Sequence, residues 1–279
     1  MALAFVKMQA LGNDFVIIDR TDDDTIALPL AKRQWLADRH LGIGCDQLLV
    51  IDRAEHASVH FHYRIFNADG DEVEQCGNGV RCVARYLIDN HKITTDTATL
   101  SCQAGLIHIK VDDNQNIAVN MGKPSFAPES IGLHHQTQQV CYSFDINGEP
   151  IEFGAVSMGN PHAVIDVDSI DIARLDSIGQ RLNQVSDTLF AQGVNVGFMH
   201  VIDSEHIHLA VYERGVGRTL ACGSGACAAV VVGQIQKKLA KQVTVELPGG
   251  KLRIYWKGPG NPVKMTGPAV HVFDGQIQL

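Results

Sequence analysis

Glu213–Val232, ERGVGRTLACGSGACAAVVV, is the stretch on which the fold turns. It sets Cys222 on a glycine-flanked turn that runs directly into apolar residues, the pattern of a helix that begins just after a thiol. Phe66–Cys82, FNADGDEVEQCGNGVRC, repeats the arrangement around Cys76, so Cys-Gly-x-Gly occurs twice, 146 residues apart. The first N–H groups of a helix lack internal partners, and the macrodipole adds about half a positive charge there. A thiol at such a place is expected to ionise below its free pKa of about 8.5. The glycines also leave the N–H groups of Gly77, Asn78, Gly223 and Ser224 open to an anion such as a carboxylate.

Two further anchors recur at nearly the same spacing. Gly12-Asn13 precedes an apolar strand, as Gly159-Asn160 does later, and Leu106–Ile109 after Gly105 resembles Leu252–Ile254 after Gly249-Gly250. Three anchors at one offset predict an internal duplication. The expected fold is α+β, with two pseudo-symmetric domains, each a mixed β-sheet wrapped around a central helix. The first half reads as a strand, turn and strand over Phe5–Asp19, a helix over Ala31–Leu41, strands at Gln47–Asp52 and Val59–Phe66, the cysteine turn, a helix, and a hairpin over Ala98–Val111. The second offers a helix over Ile170–Asn183, strands at Val194–Asp203 and Glu205–Tyr212, and a buried helix over Ser224–Ala240. Met121-Gly122-Lys123-Pro124 marks the seam, giving residues 1–121 and 122–265. Residues 266–279, with a last strand at Ala269–Phe273, are expected to pack back on the first half.

Composition limits the function classes. Apolar residues make up 45% and charged residues 19% of the 279, an ordinary globular balance. A net charge of −8, with no basic stripe, argues against a nucleic-acid or anionic-membrane partner. No apolar run reaches the roughly 18 residues of a membrane span, and Met1–Asp19 lacks a signal-peptide layout, so a cytoplasmic protein is expected. Seven cysteines without Cys-x-x-Cys read as reduced thiols. Five of them, Cys45, Cys82, Cys102, Cys141 and Cys227, are expected to be small buried hydrophobes. His60 with His62, and His206 with His208, alternate along strands but lack a third ligand, so no metal is expected.

Inverting a carbon by proton transfer needs a base on one face and an acid on the other. A duplicated pair of cysteines supplies both if the two helix mouths face one cleft, gripping a carboxylate while the adjacent C–H breaks. The motifs LGNDF (Leu11–Phe15), GCDQ (Gly44–Gln47), FNADG with EQCGNG (Phe66–Gly79), MGNPH (Met158–His162), Val194-Asn195, ERG (Glu213–Gly215) and ACGSGAC (Ala221–Cys227) resemble the diaminopimelate epimerase family. The resemblance implies a cofactor-free, homodimeric enzyme that interconverts LL- and meso-diaminopimelate, with Cys76 and Cys222 as the acid/base pair. It implies that Gly77, Asn78, Gly223 and Ser224 bind the reacting carboxylate. Asn13, Gln47, Asn67, Asn160, Asn195, Glu213 and Arg214 would read the remainder of the substrate, and His162 with Glu213 would tune the thiols. Arg218 departs from the acidic residue common in relatives. Competing readings are a proline-racemase-like isomerase, a cysteine hydrolase using Cys222 with a histidine base, and a non-catalytic carboxylate-binding or redox-sensing protein. The sequence leaves open which cysteine is the resting thiolate.

Overall fold

The structure, a computed structural model, describes residues 2–22, 25–73, 76–112, 116–146, 148–184 and 189–279. The chain divides into two compact units, Met1–Asn120 with Thr266–Leu279, and Met121–Met265. The first carries β1 (Ala2–Ala10), β2 (Asn13–Asp19), α1 (Leu30–Ala37), β3 (Gln47–Arg53), β4 (Phe61–Asn67), β5 (Glu72–Val73), α2 (Gly77–Asp89), β6 (Thr97–Cys102), β7 (Gly105–Val111) and β8 (Ile117–Asn120). The second carries α3 (Pro128–Ile131), β9 (Tyr142–Ile146), β10 (Glu149–Ser157), β11 (Pro161–Asp166), α4 (Ile172–Gln184), β12 (Asn195–Asp203), β13 (His206–Glu213), β14 (Gly217–Thr219), α5 (Gly223–Ile235), β15 (Gln242–Leu247) and β16 (Gly250–Trp256). β17 (Val263–Gly267) leads the chain back to the first unit, where β18 (Val270–Gln278) pairs antiparallel with β1.

The duplication is explicit in the pairing. In the first unit β1–β2 is antiparallel, β2–β3 parallel, β3–β4 antiparallel, β4–β6 parallel and β6–β7 antiparallel, with β5 folded onto β4. The second unit repeats the series as β10–β11, β11–β12, β12–β13, β13–β15 and β15–β16, with β14 folded onto β13. Side chains of a strand alternate between faces, and both faces of these strands are covered. Val16, Ile18, Leu48, Val50 and Phe66 form one core with Leu36 and Ala37 of α1. The intervening Phe15, Ile17, Leu49, Ile51, Tyr63 and Ile65 are buried on the other face. There α2 approaches so closely that a Cβ on Gly79 would lie 3.2 Å from Leu49 and 3.4 Å from Phe15. In the second unit Ala163, Ile165, Val196, Phe198 and Ala210 pack with Leu175, Ile178 and Leu182 of α4. Their opposite face meets α5, where a Cβ on Gly225 would lie 3.1 Å from Val211.

α5 is apolar on every side because strands surround it. It touches β10, β11, β12, β13 and β16, and every residue from Gly225 to Gly233 is buried. Each valine of the Val230–Val232 run contributes about 1.5–3 kcal/mol on full burial. α2 sits likewise against β1, β2, β3, β8 and β18.

Several boundaries differ from the sequence expectation for local reasons. α1 stops at Ala37, not Leu41, because the Asp38 carboxylate accepts from the N–H groups of His40 (2.7 Å) and Leu41 (2.8 Å), a turn that competes with helix. α5 stops at Ile235, not Ala240, at a left-handed Lys237 (φ 62°). Lys238 N–H bonds Gly233 O and Lys237 N–H bonds Gln234 O, the paired bonds of a Schellman end. α2 ends the same way at His91 (φ 56°), with Lys92 N–H on Leu87 O and His91 N–H on Ile88 O. Cys141 is exposed, against the expectation of burial, because it stands one residue ahead of β9 and outside the core. Among the described residues no helix is long and apolar enough to cross a membrane.

Candidate active site

Parallel strands start at the same end of a sheet, an antiparallel neighbour finishes there, and the helix that follows begins there. β2, β3, β4 and α2 therefore bring Asn13, Gln47, Asn67 and Cys76 to one end of the first unit, with Gln47 directly paired with Asn67. By the same topology Asn160, Asn195, Glu213 and Cys222 gather at the corresponding end of the second unit. The sequence expectation thus falls into two matched sets, one per unit.

In the first set Cys76 is the N-cap of α2, with extended backbone (φ −139°, ψ 111°). Its sulfur accepts the Gly79 N–H at 3.5 Å and faces Asn13 Oδ1 at 3.8 Å. Asn78 Nδ2 donates to the same oxygen at 3.2 Å, and Asn78 Oδ1 accepts from the fully buried Arg81 at 2.9 Å. Gln47 Nε2 donates to Asn67 Oδ1 at 2.9 Å, while Gln47 Oε1 is buried without a donor among the described residues. A buried acceptor in that state is costly unless a ligand N–H or ammonium reaches it. Glu74 and Gln75 of the motif lie outside the described residues.

In the second set Cys222 caps α5 with similar backbone (φ −112°, ψ 110°) but without a side-chain capping bond. Burial, and then the charge of Glu213, push its thiol well above the ordinary cysteine value, although Ser224 and the Gly225 N–H pull the other way. The expectation that a helix mouth lowers the pKa fails here because loss of hydration outweighs the dipole. Cys222 is accordingly a protonated thiol at neutral pH. Its sulfur lies 3.6 Å from Ser224 Oγ, which accepts from Asn160 Nδ2 at 3.4 Å. Asn160 Oδ1 meets His162 Nε2 at 3.0 Å. Burial, helped by Arg214, pushes the His162 pKa down to about 3, so the ring is neutral. A neutral imidazole facing an amide oxygen is a donor at Nε2. Thr219 Oγ1 donates to Glu213.

Asn195 acts on backbone, donating to Pro161 O at 3.1 Å and accepting the Arg214 N–H at 2.9 Å. The Arg214 guanidinium is turned to Gln192 O at 3.0 Å. Arg218 pairs with Asp176 at 3.0 Å on the surface. Sequence reasoning passed over Asp14, Arg39, Asp46 and Arg81. The two acids stood in the quoted motifs LGNDF and GCDQ, but nothing in the sequence says that Asp46 reaches Asn13 across 33 residues.

The family model described as diaminopimelate epimerase matches residues 5–127 and 154–272. This chain belongs to the diaminopimelate epimerase family. It is similar to the diaminopimelate epimerase of Ectopseudomonas mendocina (strain ymp), with 45% identity over 279 residues covering 100% of both chains. The diaminopimelate epimerase of Pseudomonas syringae pv. syringae (strain B728a) matches at 45% over the same span and coverage. Among solved structures, a hydroxyproline epimerase from Agrobacterium vitis with bound trans-4-hydroxy-L-proline superposes with a TM-score of 0.71 at 15% identity, covering 99% of this chain and 92% of that one. At that identity the likeness is one of fold. Between the two diaminopimelate epimerase segments, residues 128–153 hold α3, β9 and the start of β10.

Proposed function

We propose that this chain interconverts LL- and meso-diaminopimelate by exchanging the proton on the α-carbon, without a cofactor, in lysine and peptidoglycan-precursor synthesis. The observation that carries the reading is the repeated placement of a cysteine as N-cap of a 13-residue buried helix, once in each unit. Family membership supports the substrate.

In this mechanism Cys222, held as a thiol in the free enzyme, delivers a proton while Cys76 removes one from the opposite side of the carbon. Reversal of the two roles returns the other isomer. The N–H groups at Gly77, Asn78, Gly223 and Ser224 receive the carboxylate and stabilise the charge that spreads into it as the C–H bond breaks. Asn13, Gln47, Asn67, Asn160, Asn195, Glu213 and Arg214 bind the rest of the amino acid, and Gln47 Oε1, which has no donor among the described residues, suits its ammonium. His162 and Glu213 govern protonation at Cys222. The protein works in the cytoplasm as a homodimer, for which the exposed apolar Val270, Val272 and Phe273 of β18 offer surface.

Deuterium wash-in from solvent at the α-carbon of purified LL- and meso-diaminopimelate tests the reading. Native protein incorporates label from both isomers and equilibrates them. Cys76→Ala and Cys222→Ala each abolish equilibration, at a loss of at least about 10²-fold. An unchanged rate in either variant defeats the two-thiol mechanism, and turnover of proline or hydroxyproline alone moves the protein to the proline-racemase-like reading. A trappable acyl-enzyme on Cys222 points instead to a hydrolase.

A further inference from the structure

Four charged residues outside the proposed proton transfers, Asp14, Arg39, Asp46 and Arg81, bear on the two amides beside Cys76. Asp46 Oδ2 accepts from Asn13 Nδ2 at 2.9 Å and from the Asp14 N–H at 3.1 Å, and its Oδ1 accepts from Arg39 at 2.7 Å. Asp14 completes the cluster, accepting the Asp46 N–H at 3.0 Å and bonding Arg39 at 2.6 Å. A carboxylate can only accept, so Asn13 must turn its NH2 toward Asp46 and its oxygen away. At the other end Arg81 donates to Asn78 Oδ1 at 2.9 Å, and to Gly77 O and Pro268 O at 3.4 and 3.2 Å. A guanidinium can only donate, so Asn78 must offer Arg81 its oxygen and send its NH2 outward. The two outward groups meet. Asn78 Nδ2 donates to Asn13 Oδ1 at 3.2 Å, and the Cys76 S–H donates to the same oxygen at 3.8 Å.

Two amides thus stand head to tail between a carboxylate and a guanidinium. An amide has nearly the same shape either way round, so packing does not choose between its orientations, whereas the charged ends do. We propose that Asp46 and Arg81 are positioning residues that fix the polarity of the Asn13–Asn78 pair, so that an acceptor, not a donor, faces the Cys76 sulfur. The inference rests on the reading of Cys76 as one of the two acid/base thiols. An acceptor there disfavours the thiolate, which makes Cys76 the stronger base for the α-proton once ionised, and it holds the S–H in a defined direction once the proton has been taken.

Sign reversal in a double-mutant cycle tests the arrangement without any substrate. Asp46→Asn alone lowers Tm by about 2–4 °C, because an amide cannot accept at both Asn13 and Arg39. Asn78→Asp keeps the bond to Arg81 but sets a carboxylate oxygen against Asn13 Oδ1, and lowers Tm as well. In the Asn78→Asp background Asp46→Asn raises Tm, since Asn13 can now reverse, giving its NH2 to position 78 and accepting from position 46. Asp46→Asn lowering Tm by the same amount in both backgrounds overturns the head-to-tail arrangement.

The positioning role has its own readout. In Asp46→Asn the Asn13 oxygen is released and Cys76 ionises more readily, so its carbamidomethylation at neutral pH, followed by peptide mass spectrometry, speeds up at least threefold with circular dichroism unchanged. Turnover of diaminopimelate falls about tenfold. An unaltered Cys76 rate makes Asp46 merely structural and ends the proposal. If native protein fails to epimerise diaminopimelate, the functional reading falls while the thiol and Tm measurements still decide this one.

Discussion

At Cys222 two effects oppose each other. The helix mouth offers positive potential and a Gly225 N–H, while burial and the Glu213 carboxylate favour the neutral thiol, and burial is the larger. An acid whose pKa is raised stays protonated as pH rises through its ordinary range, so Cys222 enters neutral solution as a proton donor. Replacing Glu213 with Gln removes a like charge but leaves the burial. Carbamidomethylation of Cys222 at pH 8 should therefore rise about three- to tenfold in Glu213→Gln, a free-energy change of about 1 kcal/mol, measured by peptide mass spectrometry. A rate equal to native would mean that burial alone sets the ionisation. Cys76 presents a different surrounding, with its sulfur between the Gly79 N–H and Asn13 Oδ1. Equivalent positions in the duplicated sequence have therefore acquired unequal surroundings.

At the scale of the element, the two cysteine helices are matched from start to finish. Each begins after a cysteine N-cap, runs 13 residues and closes with a Schellman end on a non-glycine residue in left-handed conformation, His91 or Lys237. That conformation costs an L-residue roughly 1 kcal/mol that glycine avoids. Lys237→Gly should accordingly stabilise the protein by about 0.5–1 kcal/mol and raise Tm by about 1–4 °C in calorimetry, with no loss of epimerase turnover. A drop in Tm would show that the lysine side chain contributes more than its backbone strain removes.

At the scale of the whole molecule, the chain end completes the unit that the chain start began. β18 pairs with β1 from Ala2↔Gln278 to Gln9↔Val270, and Phe273 packs edge-on against Phe5 with ring centroids 6.0 Å apart. Removing residues 270–279 uncovers the β1 ladder and takes away a neighbour of α2, the helix that carries Cys76 at its mouth. The truncated chain should lose at least about 3 kcal/mol of stability and aggregate through the exposed strand, seen as a lowered urea midpoint and a shift in light scattering. An unchanged midpoint would mean that the first unit closes without its last strand.

The sequence by itself determined the duplication, the two cysteine turns, and the identity of most polar side chains around them, because fixed spacing and glycine-bounded motifs are local signals that survive without coordinates. It also determined that α5 is enclosed, since a helix apolar on all sides has no face for water. Only the tertiary structure decided what the local pattern leaves degenerate. Asp38 ends α1 early through its own side-chain bonds, Cys141 falls outside the core by one residue, and Cys222 is a thiol because burial is a property of surrounding strands and not of the residues beside it. Asp46 reaching Asn13, and Arg81 reaching Asn78 and Pro268, are of the same kind: the direction in which an amide points depends on charges brought near by folding, and no spacing along the chain records it.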